Sequence, residues 1–224
     1  MSQKQYTGAE IAAHCDHTLL KADATYNRIL EICEEAKQLG TAAVCVNPVH
    51  AARVHAALEG SGIRTAVVVG FPLGANKPEV KAFETKEAIR DGADEVDMVI
   101  NVGALRSGDT DTVLRDIEAV VQAARAEKPE TVVKVIIETC YLSDEEKKTA
   151  SALCEQAGAD YVKTSTGFGT GGATLHDVAL IHEVIGDRLR IKASGGISNR
   201  EDAVAFLEAG ADRLGVSRTK QIIG

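Results

Sequence analysis

A glycine followed by a short apolar run recurs four times along this chain, and that spacing restricts the fold more than any other feature. Gly-Ala-Asp stands at 92–94, 158–160 and 210–212, and Leu39-Gly40 opens a similar unit. Each copy ends a helical pattern, where glycine suits the position after the last turn because a left-handed backbone carries no Cβ penalty there. The run after each glycine reads as a strand: 42–47, 95–101, 161–166 and 213–217. Four further apolar segments, 15–20, 65–71, 132–139 and 190–194, lie between them, and helical periodicity fills 26–38, 79–90, 112–126, 144–156, 175–185 and 200–208. Ser143 with Glu146, and Ser198 with Glu201, have capping-box spacing at two helix starts. Eight strands alternating with helices predict an α/β protein, a (β/α)8 TIM barrel. A short amphipathic helix at 8–14 is expected to cover the barrel bottom, and one domain to span 1–224.

Side-chain alternation carries the repeat into the barrel interior. The fifth residue after each glycine is Cys45, Asp97, Lys163 and Gly215, while the flanking positions are apolar, as packing under helices requires. Alternate strands of this fold contribute one layer of four inward side chains, so Asp97 and Lys163 are expected to share a layer. Two positions earlier the count gives Glu95 and Arg213, an expected structural ion pair. Two positions later it gives Ser165 and Ser217, nearer the C-terminal mouth where barrel active sites lie.

Lys163 and Lys192 both sit in strand-like segments, Val-Lys-Thr-Ser-Thr-Gly-Phe and Ile-Lys-Ala-Ser-Gly-Gly. Lysine is almost never fully buried without a partner, because desolvating its ammonium is costly. At ~4 Å and an effective dielectric of ~20, two ammoniums repel by ~4 kcal/mol, enough to favour a neutral amine on one of them. A neutral buried amine is a nucleophile toward carbonyls, which points to Schiff-base chemistry. The plainer alternative is that both lysines are ion-paired core residues.

Other motifs compete for attention. Gly167-Phe-Gly169-Thr-Gly171-Gly172 matches G-x-G-x-x-G, but the next strand ends in Ser-Gly-Gly rather than the acid a dinucleotide site needs. A flexible mouth loop is the reading preferred here. His14-Cys-Asp-His17 offers metal-ligand types, yet a strand would place His14 and Asp16 on one face and His17 on the other. No metal or other cofactor is expected. The turns Ser194-Gly195-Gly196 and Gly215-Val-Ser217-Arg218 follow strands seven and eight, where exposed backbone N–H groups, a helix N-terminus and the extra donors Ser217 and Arg218 suit a phosphate.

The net charge of −8 argues against nucleic-acid or anionic-membrane partners, which need a basic face. Five cysteines, odd in number and without C-x-x-C, read as reduced thiols of a cytoplasmic protein. No stretch is apolar enough for a membrane span, and the N-terminus lacks a signal-peptide core.

Asp97 in Glu-Val-Asp-Met-Val-Ile-Asn and the two lysine motifs resemble the deoxyribose-phosphate aldolase family, as do Asp16-His-Thr-Leu-Leu and Val135-Ile-Ile-Glu-Thr139. The resemblance covers essentially the whole chain. It implies reversible cleavage of 2-deoxy-D-ribose 5-phosphate to D-glyceraldehyde 3-phosphate and acetaldehyde, in deoxyribose phosphate catabolism and without a metal. By the same resemblance Lys163 forms the Schiff base, Asp97 and Lys192 move protons, and Asp16 and Lys134 support that network. Substrate contacts are expected from Thr166, Gly167, Gly195, Gly196, Gly215, Ser217 and Arg218. The expected partner is a small phosphorylated sugar, with room for a homodimer. The sequence departs from the family at Gly224, where some members continue to a terminal tyrosine, and at Arg218, where a small residue is usual.

Overall fold

In the computed structural model, which describes residues 6–224, the eight apolar runs pair side by side as parallel strands and close into a barrel in sequence order. The strands are β1 (Cys15–Leu19), β2 (Ala43–Val46), β3 (Arg64–Val69), β4 (Glu95–Val99), β5 (Val132–Ile136), β6 (Tyr161–Lys163), β7 (Arg190–Ser194) and β8 (Arg213–Val216). Closure joins β8 to β1 with Asp16 opposite Gly215, leaving no free edge for another chain to pair with. Parallel neighbours need crossovers, and helices supply them: α2 (Tyr26–Leu39), α3 (Ala51–Leu58), α4 (Pro78–Arg90), α5 (Val102–Arg106), α6 (Thr110–Glu127), α7 (Asp144–Gln156), α8 (Leu175–Ile185) and α9 (Arg200–Glu208), with α1 (Gly8–Ala13) before β1 and α10 (Thr219–Ile223) after β8.

Helix starts follow local chemistry. Ser143 and Glu146 form the expected capping box of α7. A second box, Thr7 with Glu10, starts α1, which buries Ile11 at the N-terminal end of β1. At α9 the cap is Asn199 rather than Ser198: its side chain accepts the Asp202 N–H at 2.8 Å, one residue later than the capping-box spacing predicted. Helices α3, α5 and α10 were not read from periodicity. They have eight, five and five residues, too few turns for an amphipathic stripe to emerge.

Alternation along the strands divides the apolar residues into two populations. Val44, Val46, Val67, Val96, Met98, Val133, Val162 and Leu214 face outward into the main core beneath the helices. Ala43, Cys45, Ala66 and Val68 form a small separate cluster inside the barrel. Several strands are shorter at their C-terminal ends than the apolar runs suggested, β6 stopping at Lys163 instead of continuing to 166. There the backbone leaves the ladder to build the mouth. Glu138, beyond β5, adopts a left-handed φ of 55°, an uncommon conformation for a residue that carries a Cβ.

One buried ion pair braces the outer layer. Lys81 of α4 reaches Asp116 of α6 at 2.5 Å and the Val99 carbonyl at 2.7 Å, and both side chains are sealed from solvent. Burial pushes the Lys81 amine down and the Asp116 carboxyl up, so the pair is held by its partners against the cost of desolvation. Lys81→Met alone leaves a buried, uncompensated carboxylate and is expected to destabilise the fold by about 3–5 kcal/mol in urea unfolding. Adding Asp116→Leu should restore more than half of that loss.

Candidate active site

Three carboxylates and four basic side chains fill the barrel: Asp16, Glu95, Asp97, Lys134, Lys163, Lys192 and Arg213, none more than 8% exposed. Three carboxylates face four cations, so the interior holds one positive charge more than it can pair. Asp97 is the hub. Its Oδ2 accepts from Lys163 Nζ at 2.7 Å and Lys192 Nζ at 2.6 Å, and its Oδ1 from Lys134 Nζ at 2.7 Å. Lys134 also meets Glu95 at 2.5 Å, and Lys192 also bonds Asp16. Arg213 spans Asp16 at 2.5 Å and Glu95 at 3.2 Å, the ion pair expected from the repeat. Among the described residues, Lys163 has Asp97 as its one carboxylate partner.

The fourth member of the expected layer, Gly215, has a steric reason. A Cβ there would lie 3.1 Å from Lys192 Cε and 2.3 Å from Ser194 Oγ. Its bare backbone lets the Lys192 stem cross the barrel toward Asp16 and Asp97.

These contacts split the lysines electrostatically. Burial lowers the pKa of Lys163, and repulsion from Lys192 adds to it against the pull of Asp97. Burial opposes charge on Lys192 too, but Asp16 and Asp97 outweigh it and hold that amine above the ordinary lysine value. The same competition, won by Asp97 and Glu95, pushes Lys134 up to about 12. Asp97, despite burial, is held well below the usual carboxylate range by Lys134, Lys163 and Lys192. Repulsion from Lys192, expected to suffice for a neutral Lys163, is the smaller cause, and desolvation is the larger.

A cavity of about 340 Å³ opens at the C-terminal ends of the strands, and of the seven interior groups Lys163 alone lines it. Thr166, Gly167, Gly195, Gly196, Gly215 and Ser217 line it as expected. Arg218 does not: it is exposed and begins the short α10, outside the cavity. The cation present at the rim is instead Lys21, which follows β1, lines the cavity and has no ion-pair partner among the described residues. Lys21 directly follows the quoted Asp16-His-Thr-Leu-Leu segment, and its position just past a barrel strand was the signal available to find it. Ser194, from the expected turn, lines it too, and Thr18, Leu19, Leu20, Phe168 and Val216 do so without having been assigned a role. A larger groove of about 920 Å³ between α4 and α6 contains none of the interior charges.

The glycine-rich stretch is anchored at both ends. Thr166 N–H bonds Glu138 Oε1 at 3.1 Å, Thr166 Oγ1 bonds Glu138 Oε2, and Ala173 N–H bonds the carbonyls of Ser194 and Gly195. Gly172 packs so closely on Gly195 that a Cβ would meet its carbonyl oxygen at 2.3 Å. The N-terminus of α9 is not an open anion site, because Asn199 and Asp202 occupy its first turn. The cavity is bounded instead by the turn before it, where Gly195 and Gly196 both have φ of 82°. His14, Asp16 and His17 do not converge: His14 bonds the Asp212 carbonyl, Asp16 faces inward, and His17 faces outward between Glu35 and Thr219.

The sequence matches the DeoC/LacD family aldolases over residues 11–221. It is 56% identical over 213 residues to a deoxyribose-phosphate aldolase of Geobacillus sp. (strain WCH70), covering 95% of this chain and 94% of that one. It is 53% identical to the deoxyribose-phosphate aldolase of Thermococcus gammatolerans over 218 residues, covering 96% of each. The tetrameric deoxyribose phosphate aldolase of Aeropyrum pernix superposes with a TM-score of 0.89 at 32% identity, covering 97% of this chain and 91% of that one.

Two ammoniums sharing one carboxylate oxygen at ~5 Å and an effective dielectric of ~20 repel by ~3 kcal/mol. Lys192→Met removes that repulsion, so the Lys163 pKa rises and less free amine remains near neutral pH. Cyanate carbamylation of Lys163, followed by peptide mass mapping, should slow at least tenfold at pH 7.5 and recover as the pH is raised. Lys134→Met, acting from the other carboxylate oxygen, should have a smaller effect.

Proposed function

The chain belongs to the DeoC/LacD family of aldolases, and on that premise we propose that it is a deoxyribose-phosphate aldolase working through a Schiff base on Lys163. The observation carrying this reading is that Lys163 alone, of the three lysines inside the barrel, both lines the cavity and has its pKa lowered. Its neutral amine adds to the C1 aldehyde of open-chain 2-deoxy-D-ribose 5-phosphate, and loss of water gives the iminium. The C3 hydroxyl gives up its proton, the C2–C3 bond breaks toward the iminium nitrogen, and D-glyceraldehyde 3-phosphate leaves. Protonation of the enamine at C2 and hydrolysis then release acetaldehyde and the free lysine.

Asp97 and Lys192 are the proton carriers in this proposal. Both touch the Lys163 environment through the same carboxylate oxygen, and Lys192, held charged, can give a proton when the carbinolamine loses water. Lys134 and Asp16 keep Asp97 and Lys192 in their charge states. The phosphate end is read by the turns at Gly195, Gly196, Gly215 and Ser217, with Thr166 and Gly167 opposite and Lys21 as the rim cation. The pathway role follows from the substrate: breakdown of deoxyribose phosphate to a triose phosphate and a two-carbon aldehyde.

Acetaldehyde with borohydride should add one ethyl group to Lys163, found by peptide mass mapping, and Lys163→Ala should abolish both labelling and turnover. Labelling confined to Lys21 or another lysine would contradict the assignment.

Removing a charged hydrogen-bond donor from a phosphate costs on the order of 1.5–3 kcal/mol. Lys21→Met should therefore raise KM for deoxyribose 5-phosphate by roughly tenfold or more, with little change for unphosphorylated deoxyribose. Arg218→Ala, outside the cavity, should change either substrate less than threefold.

A further inference from the structure

Lys163 emerges between two chemically different walls. On one side are the backbone turns and hydroxyls of β6, β7 and β8. On the other, deeper in the barrel, is the inner apolar cluster of Ala43, Cys45, Ala66 and Val68, whose Cys45 is near enough to act on the Lys163 charge and against which Leu20 and Phe71 pack. Burial pushes the Cys45 thiol up to about 11, so that wall carries no charge near neutral pH. Leu20 belongs to both the cluster and the cavity lining.

The apolar side has a roof. Phe168, which lines the cavity, meets Phe71 edge-on with ring centroids 5.3 Å apart and planes at 86°. Phe71 follows β3 and Phe168 follows β6, three places apart in the closed strand order, so the contact spans the mouth. Such edge-to-face pairs are attractive beyond the area they bury. An acid anchors the chain next to each ring. Glu84 accepts the Gly70 N–H at 2.7 Å beside Phe71. Glu138, 3% exposed, accepts both Thr166 donors, and Thr166 Oγ1 in turn accepts the Phe168 N–H at 3.0 Å. Gly70, at φ 61°, lies over the Lys81 stem, where a Cβ would approach Cε to 2.8 Å. Both loops are therefore positioned by the protein itself.

We propose that Phe71 and Phe168 close the apolar side of the lysine pocket and so restrict the aldehyde bound to Lys163 to two carbons. This inference rests on the aldolase reading above. The hydroxyl- and phosphate-bearing fragment takes the polar wall, which leaves the apolar wall for the substituents on C2 of the enamine. With acetaldehyde those substituents are hydrogens. Propanal adds a methyl there, on the side of the mouth that this proposal assigns to the paired rings. Excluding one methyl-sized group in an apolar pocket changes selectivity by roughly ten- to two-hundredfold.

The test is competition between acetaldehyde and propanal for condensation with D-glyceraldehyde 3-phosphate, comparing kcat/KM for wild type, Phe168→Ala, Phe71→Leu and the double variant. Phe168 is 56% exposed, so its truncation does not threaten the fold and keeps the test open whatever Phe71→Leu does. The propanal-to-acetaldehyde ratio should rise at least fivefold in Phe168→Ala and further in the double variant. A rise of less than fivefold in Phe168→Ala overturns the role of the rings while leaving the aldolase reading intact. A wild-type protein that condenses neither aldehyde overturns the aldolase reading itself.

Discussion

The Asp97 carboxylate is the interaction on which this barrel depends. Three lysine amines converge on its two oxygens in the buried interior, where charges are tolerable only when paired and hydrogen-bonded. Asp16 and Glu95 extend the pairing to Lys134, Lys192 and Arg213, but three acids cannot neutralise four cations. The excess falls on Lys163, which has one carboxylate to Lys192's two. It is also the one interior cation that reaches the cavity. Charge balance, desolvation and access thus select the same side chain, and the proposed chemistry needs all three at once.

Much of this was legible in the chain. A glycine ending each of four helices sets the phase of the following strand, and strict alternation then fixes which residues point inward. That reasoning reached the Asp97–Lys163 layer and the Glu95–Arg213 pair from counting alone. It also separated the outward valines from the inner Ala43–Cys45 cluster. Short helices such as α3 and α5 were not legible, because one or two turns leave no periodicity to detect.

The site's periphery was harder for a different reason. Whether Lys21 or Arg218 faces the cavity depends on how each loop leaves its strand, which side-chain alternation does not govern beyond the ladder. The role of Glu138 is of the same kind: a buried acid with left-handed backbone, anchoring Thr166 across from another loop. The balance of causes at Lys163 was likewise hidden, since sequence registers a neighbouring charge but not the depth of burial that outweighs it. The mouth therefore takes its shape from contacts between loops far apart in sequence: Phe71 with Phe168, Gly172 with Gly195, and Thr166 with Glu138.

The central claim is that one of three neighbouring lysines is selected to lose its proton. Selective 15N labelling of lysine side chains, with resonances assigned by single Lys→Met variants, would follow each amine through a pH titration of the native protein. Lys163 should deprotonate below the ordinary lysine range, while Lys134 and Lys192 remain ammonium throughout the range in which the fold survives. A Lys163 that stays charged while Lys192 or Lys134 titrates first would contradict the account, because the excess charge would then reside on an amine that does not face the cavity.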